Sequence, residues 1–446
     1  MKRIFCLLIF SIISLTLIGC GSNKTVKNIE KNLIPVTIDN HCEYIDINGN
    51  VELSFDDYKF GTEFKNGIAI LYNEKSPFNS VYQARPTLRD SQLIDDSGNK
   101  IGDKYDGIYR DGDKFVVEKD SKYGVMSKEG KLLIDIKYDS MSKLSEGLYC
   151  VSLNGLYGYI NESGETVIDF KYNSALYFSE GLAAVKMSSG WNYINKNDEI
   201  IIEKNYYGAG PFKAGHAEVY LEYSEIPSES YIDKKGNVVY PDDSHYVHAY
   251  ETEDEIYLRV ENYKENKKIL VKLSEEKVIR EFSFDASMTT TDNGLIIATE
   301  SNTTSIYDID GKLINSIVIE NGFFDMGLIK DKISNIIYKP YVNSNKIQIV
   351  YTITKEGISK LDFELDSKMI YGVNNNVFIV SGGRPVAYGL VSTTGEEILA
   401  CTYQEIISFK DQYFIFKDNN KLGILDSKGR IIVPAQYTKI GDKTIE

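Results

Sequence analysis

Short apolar runs alternate with polar residues along nearly the whole chain, and they end in turn-forming pairs: Asn48-Gly49, Ser97-Gly98, Glu129-Gly130, Ser163-Gly164, Lys235-Gly236, Asp310-Gly311, Thr394-Gly395 and Lys428-Gly429. A period of two bounded by such pairs predicts antiparallel strands joined by tight turns, because glycine supplies the positive φ that hairpin turns require. Beyond the first twenty residues no long window carries a 3.6-residue apolar period, so helices are not expected. The expected unit is a strand of alternating apolar residues, a tight turn, a second strand such as Tyr157-Gly158-Tyr159-Ile160-Asn161, a glycine turn, and a third strand through Val167-Ile168 that runs out to a tyrosine.

These units recur at a fixed interval. Gly147, Gly181 and Gly215 are spaced by 34, as are Tyr138, Tyr172 and Tyr206, and Tyr159 and Tyr193. The same interval returns near the C-terminus in Gly389 and Gly423, Gly395 and Gly429, and Tyr403 and Tyr437. Self-similarity at this period marks a repeat architecture. Between about His245 and Asn376 the register is lost although strand-like runs persist, for example Glu255 to Val260 and Ile347 to Tyr351. We read residues 34–244 and 377–446 as repeats, and 245–376 as diverged repeats or an inserted β domain, giving about eleven units in all.

The fold class expected is all-β, with tandem β-hairpin repeats in a propeller-like arrangement; an open β-solenoid array is the alternative. Propeller rings usually hold about 4 to 8 blades, so eleven units imply two rings or units that pair into larger blades. The 33 tyrosines and 19 phenylalanines, against one tryptophan, suit strands and an aromatic core that needs neither cofactor nor metal.

The repeats resemble the WG-repeat family, whose units read F-x-E-G-L-A-x-V, then W-G-Y-I-D, then a glycine and an apolar-Pro-x-Tyr-Asp ending. Phe178-Ser179-Glu180-Gly181-Leu182-Ala183-Ala184-Val185 and Tyr157-Gly158-Tyr159-Ile160-Asn161 carry the likeness. The naming Trp-Gly pair is mostly Tyr-Gly here, at Tyr123, Tyr157 and Tyr388; Trp191 is followed by Asn192, and Gly423 by contrast follows Leu422. The resemblance fixes the repeat type and implies almost nothing about activity.

The N-terminus changes the picture of where the chain works. Lys2 and Arg3 precede an apolar run from Ile4 to Ile18, which ends at Leu17-Ile18-Gly19-Cys20. The run is shorter than the roughly 20 residues that span a bilayer. It resembles a bacterial lipoprotein signal, which implies removal of residues 1–19, a diacylglycerol on Cys20, a tether over residues 20–33, and a location on the outer face of the cell membrane. The formal net charge of −15 argues against nucleic acid as a partner and makes the lipid, rather than surface charge, the expected means of membrane residence.

Catalytic signatures are sparse. No HExxH, phosphate-binding loop, dinucleotide fingerprint or nucleophile elbow occurs. His245 and His248 sit in what reads as a polar inter-repeat loop, and Asp46-Ile47-Asn48-Gly49 and Asp308-Ile309-Asp310-Gly311 read as turns rather than calcium loops. Cys42, Cys150 and Cys401 are too few and scattered for a disulfide framework. The feature that breaks the repeat is an insertion over residues 73–91, where Phe78, Tyr82, Arg85 and Arg89 combine aromatics with arginine, as interfaces do. The sequence therefore points to a non-enzymatic binding or scaffold module for a protein or envelope partner, with that insertion as the candidate contact loop. The alternative is a surface hydrolase acting on glycan or peptide through paired carboxylates.

Overall fold

The structure is a computed structural model that describes residues 32–76, 87–221, 229–240, 245–251, 255–262, 265–275, 277–291, 294–319, 323–325, 327–331, 334 and 336–444. Described regular structure is β throughout, apart from one 3-10 turn at Leu273–Glu275. The described strands form ten antiparallel sheets, one of them eight-stranded and serving two units, so the described residues make eleven units.

Unit 4 shows the plan: Ser140–Met141, Leu148–Leu153, Leu156–Asn161 and Thr166–Tyr172, hydrogen-bonded in that order. The second strand is almost wholly buried, whereas the fourth shows the alternation of a half-exposed strand, so the fourth forms the outer edge. Unit 5 repeats it with Ser174–Ala175, Ala183–Met187, Gly190–Ile194 and Ile200–Tyr206. Between His245 and Asp366 the chain keeps this sheet order in units 7 to 9, with one extra short strand in unit 9. His245 and His248 belong to the first strand of unit 7, His245–Glu251, rather than to a loop.

The eleven units close into one circuit. Unit 1 supplies Ile34–Ile38, His41–Ile45 and Val51–Phe55, and its first strand is Lys439–Ile440 from the C-terminus. Lys439 pairs with Thr37 and Ile440 with Val36, the positions that Ser140 and Met141 hold against Ser152 and Val151 in unit 4. Thr438 N–H donates to Thr37 O and Gly441 N–H to Pro35 O, both at 2.8 Å. An open array would leave unit 1 without its first strand. Each pair of neighbouring units encloses its own apolar cluster, and the last, of Ile34, Val36 and Ile45 with Ile415, Leu422 and Val433, joins unit 11 to unit 1. A single ring of eleven therefore replaces the expected two rings or paired blades: every interface, the closing one included, is filled by the same kind of core.

The family motif residues make the joints between units. Tyr44, Tyr159 and Tyr193 pack at a tilt against Phe64, Phe178 and Phe212 of the next unit at 4.9, 4.8 and 5.0 Å between ring centroids. Each tyrosine hydroxyl also donates to a carbonyl two residues before that phenylalanine, at Thr62, Leu176 and Gly210. The rings bury area and the hydroxyls fix the angle, which leaves no polar atom stranded. The Glu-Gly pair forms a two-residue hairpin turn with both residues at positive φ, 53° at Glu180 and 85° at Gly181. Its carboxylate reaches the turn of the next unit: Glu146 accepts from Gly181 N–H at 3.0 Å and Glu180 from Gly215 N–H at 2.9 Å.

The glycine after the aromatic has a steric cause. Opposite Gly158 the fourth strand bulges, its pairing jumping from Tyr172 to Ile168 while the third strand moves from Tyr157 to Tyr159. A Cβ there would lie 2.7 Å from Ile168 O. Unit 5 meets the same bulge with Asn192, whose side-chain oxygen accepts from the backbone of Lys204 and Asn205.

Candidate functional site

Units 2 and 3 are where regularity fails. Strand Thr87–Asp95 of unit 2 is extended and pairs with Lys100–Asp111, which continues as the first strand of unit 3, so the two units share one sheet. The insertion begins as a hairpin rather than a loop, with Glu74–Ser76 paired against Thr87 to Arg89. Of the four residues expected to make a contact surface, Phe78, Tyr82 and Arg85 lie outside the described residues, as does Cys20. Arg89 is described, and its guanidinium donates to Glu118 at 2.7 Å. The Glu118 side chain is only 7% exposed, so this ion pair ties the hairpin base to unit 3.

Beside the hairpin lies a cavity of about 500 Å³. Phe64, Ile70, Tyr72, Leu88 and Tyr109 supply apolar wall from units 2 and 3. Glu63, Lys65, Lys75, Arg110 and Asp442 supply charge, the last of them from the C-terminal segment that closes the ring. The Tyr109 hydroxyl donates to Met141 O and Arg110 to Ile68 O, which hold these two in place. Glu63 pairs with Lys410 of unit 11 at 3.8 Å. Such a mix of apolar wall and a few convergent charges is typical of small-ligand sites.

Behind Tyr72 sits Lys439, 6% exposed. Its ammonium donates to the Tyr72 hydroxyl at 2.7 Å and lies over the rings of Phe60 and Tyr72, 4.4 and 5.1 Å from their centroids. Burial pulls its pKa down to about 8, with Asp442 opposing and Lys75 assisting. Burial likewise raises the neighbouring Cys42 thiol to about 12. Cys42, Cys150 and Cys401 are all free thiols. The sequence reading missed Lys439, Asp442 and Arg110. One signal was available: two residues past the repeat tyrosine stand Ser140, Ser174 and Gly208, and at that same position the last repeat puts a lysine.

The segments read as turns rather than calcium loops are closed on themselves. Asp46 accepts from the N–H groups of Asn48 and Asn50, and Asp308 from those of Asp310 and Lys312. Asp95, Asn161, Asn195, Asp233 and Asp426 do the same in their units, so the side-chain oxygen, carboxylate or amide, is part of the turn. Among the described residues no group of three His, Cys, Asp or Glu is arranged to hold a metal ion.

No curated protein matches this sequence. Solved structures with some likeness include dihydro-heme d1 dehydrogenase NirN in complex with DHE, at 8% identity over 78% of this chain and 76% of that one, with a TM-score of 0.27. Kluyveromyces lactis Hsv2 follows at 9% identity over 57% of this chain and 96% of that one, TM-score 0.26. A protein of unknown function from Bacteroides caccae shows 12% identity over 50% and 97%, TM-score 0.24. Scores this low carry no conclusion about the present chain. The model of the WG-containing repeat matches residues 123–157, 157–191, 191–223, 388–421 and 423–442. The first three of those stretches hold the tyrosine, phenylalanine and bulge geometry of Tyr159, Phe178, Tyr193 and Phe212, and the chain carries WG-containing repeats at all five.

Proposed function

We propose that the protein is a lipid-anchored binding and scaffold module on the outer face of a bacterial cell membrane, holding a protein or envelope partner at the seam of the ring. The repeat ring itself is a β-rich framework suited to binding rather than to a particular chemistry. The observation that carries the placement is the seam: one cavity collects residues of the inserted hairpin, the fused units 2 and 3, and the closing segment. The anchor rests on the Leu17-Ile18-Gly19-Cys20 sequence, and a two-chain lipid is enough to hold a protein of net charge −15 at a membrane that would otherwise not attract it.

The test is capture from solubilised cell envelope by the body comprising residues 22–446. Two variants run in parallel, one with residues 77–86 replaced by a Gly-Ser linker and one carrying Lys75→Glu. A defined partner lost from either variant supports the reading. A partner retained by both places binding elsewhere on the ring, and an empty capture removes the macromolecular partner. Separately, Cys20→Ser moves the chain from the membrane to the soluble fraction if the lipid is the anchor, and leaves it in place if it is not.

The hydrolase alternative has one observation in its favour, since Glu63 and Asp442 share the cavity. Carboxylate-pair hydrolysis uses one carboxyl kept protonated by burial beside one that is solvated. Both of these are exposed, the Glu63 side chain at 59%, and Glu63 is ion-paired with Lys410. Asp442→Asn leaves any envelope-glycan hydrolysis unchanged unless that pair is catalytic.

A further inference from the structure

We infer that the seam cavity is a site for a small organic anion with a flat apolar body, seated between Tyr72 and Tyr109 with its charged group toward Lys65, Lys75 and Arg110. The inference rests on the seam being the binding site, and is independent of the lipid anchor and of any macromolecular partner.

Charge is the first ground. The whole chain is at −15, yet the cavity carries three cations against two carboxylates, and one of the two, Glu63, already faces Lys410. Lys65 and Lys75 are both exposed and both line the cavity. A cationic spot on an acidic surface attracts a small anion while the surrounding field repels large polyanions. The body of the ligand is the second ground. Phe64, Ile70, Tyr72 and Leu88 form an apolar floor in a space of about 500 Å³, within the roughly 300–1,000 Å³ range of small-ligand pockets and far more than one bare anion fills. The third is that the site is rigid. Tyr109 is tied to Met141, Arg110 to Ile68, and Tyr72 to Lys439, so its walls are set before any ligand arrives.

A carboxylate and a phosphate monoester share this chemistry, and two probes separate them. The chain carrying Cys20→Ser, which keeps every described residue, is titrated calorimetrically with 3-phenylpropionate and with phenyl phosphate. The neutral 3-phenylpropan-1-ol and the cationic 3-phenylpropylamine serve as matched controls. The expected result is saturable binding of one or both anions, at least about tenfold tighter than either control, weakened by salt as exposed charge pairs are. The tighter anion names the head group. Lys65→Glu with Lys75→Glu is expected to lower that affinity by about tenfold or more with the thermal midpoint unchanged, because neither side chain is buried. Equal binding of acid and alcohol overturns the inference, as does no saturable anion binding, or a charge-reversed protein that melts normally and binds as before. If the double variant melts early, Lys75→Glu alone decides on the same criteria. Failed envelope capture with successful anion binding leaves this inference standing, and the converse removes it alone.

Discussion

Lys439→Met tests the physics of the seam through pH rather than through simple loss of stability. The wild-type ammonium is buried against Phe60 and Tyr72, and its pKa falls from 10.5 to about 8. Between those two values the unfolded chain holds a proton that the folded chain has released, so stability rises with pH across that window. Near neutral pH the folded protein carries a penalty of at most about 3 kcal/mol for keeping the ammonium buried. About 2 kcal/mol of it disappears between about pH 7 and about pH 9.5. Methionine fills the same volume and does not titrate. Urea unfolding of both proteins at the two pH values, followed by circular dichroism, gives the comparison. Wild type should gain about 2 kcal/mol on the variant as pH rises. Ionisation of Cys42, whose thiol is raised to about 12, and of Tyr72, raised by burial, is largely common to both proteins and drops out of the difference. A gap that stays constant or narrows would falsify the assignment of Lys439 as a desolvated amine.

The joints and turns make further outcomes measurable. Gly158→Ala drives a methyl to 2.7 Å from Ile168 O and should cost about 1–3 kcal/mol in thermal unfolding; Gly181→Ala, in open space but at φ +85°, should cost about 1–2 kcal/mol for conformation alone. Tyr159→Phe leaves Leu176 O without its 2.8 Å donor in a buried joint, and should destabilise by about 1–3 kcal/mol, whereas an effect near zero would mean that water replaces the bond. Truncation after Tyr437 removes the closing strand, and amide exchange at Ile34–Ile38 should accelerate selectively; uniform acceleration around the ring would mean that closure is not local. Desolvation works upward on Asp46, Asp95, Asp233 and Asp426, but turn hydrogen bonds outweigh it and hold all four below the usual carboxylate range. Their contribution is therefore present above the unfolded value near about pH 4 and lost as pH falls through the lower folded values. Asp→Asn at all four positions should flatten the acid limb of the stability curve, and an unchanged limb would assign acid unfolding to other groups.

What could be read from the sequence is what repeats locally. The 34-residue interval, the glycine turns and the pairing of aromatic with aliphatic positions are set by residues within one unit or its neighbour, and Tyr159, Phe178, Glu146 and Gly181 all serve the one joint between units 4 and 5. The approximate count of eleven was also legible, because even the diverged stretch keeps strand-turn alternation. Closure was not. Lys439 meets Thr37 across almost the whole chain through a two-residue strand, too short for any periodicity to announce. The insertion was seen as a break, but its base is a paired hairpin, and Arg89 is spent on Glu118, a partner 29 residues away that no local pattern links to it.

The cavity was invisible for a related reason, and that reason bears on where function sits in such a ring. A repeat position is filled alike in every unit, so a site built only of repeat residues would occur many times over with the same chemistry. The seam escapes this because three irregular elements meet there: the hairpin bearing Lys75, the fused strand bearing Tyr109 and Arg110, and the closing segment bearing Asp442. Lys439 marks the departure most sharply, since a buried ammonium stands where Ser140 and Ser174 stand elsewhere and costs stability that a serine would not. Ring closure alone does not require it, because Thr438 and Gly441 make the backbone bonds that complete unit 1. A costly residue that packing does not demand, set directly behind the wall of a cavity lined by more cations than carboxylates, would be explained by the anion site proposed there.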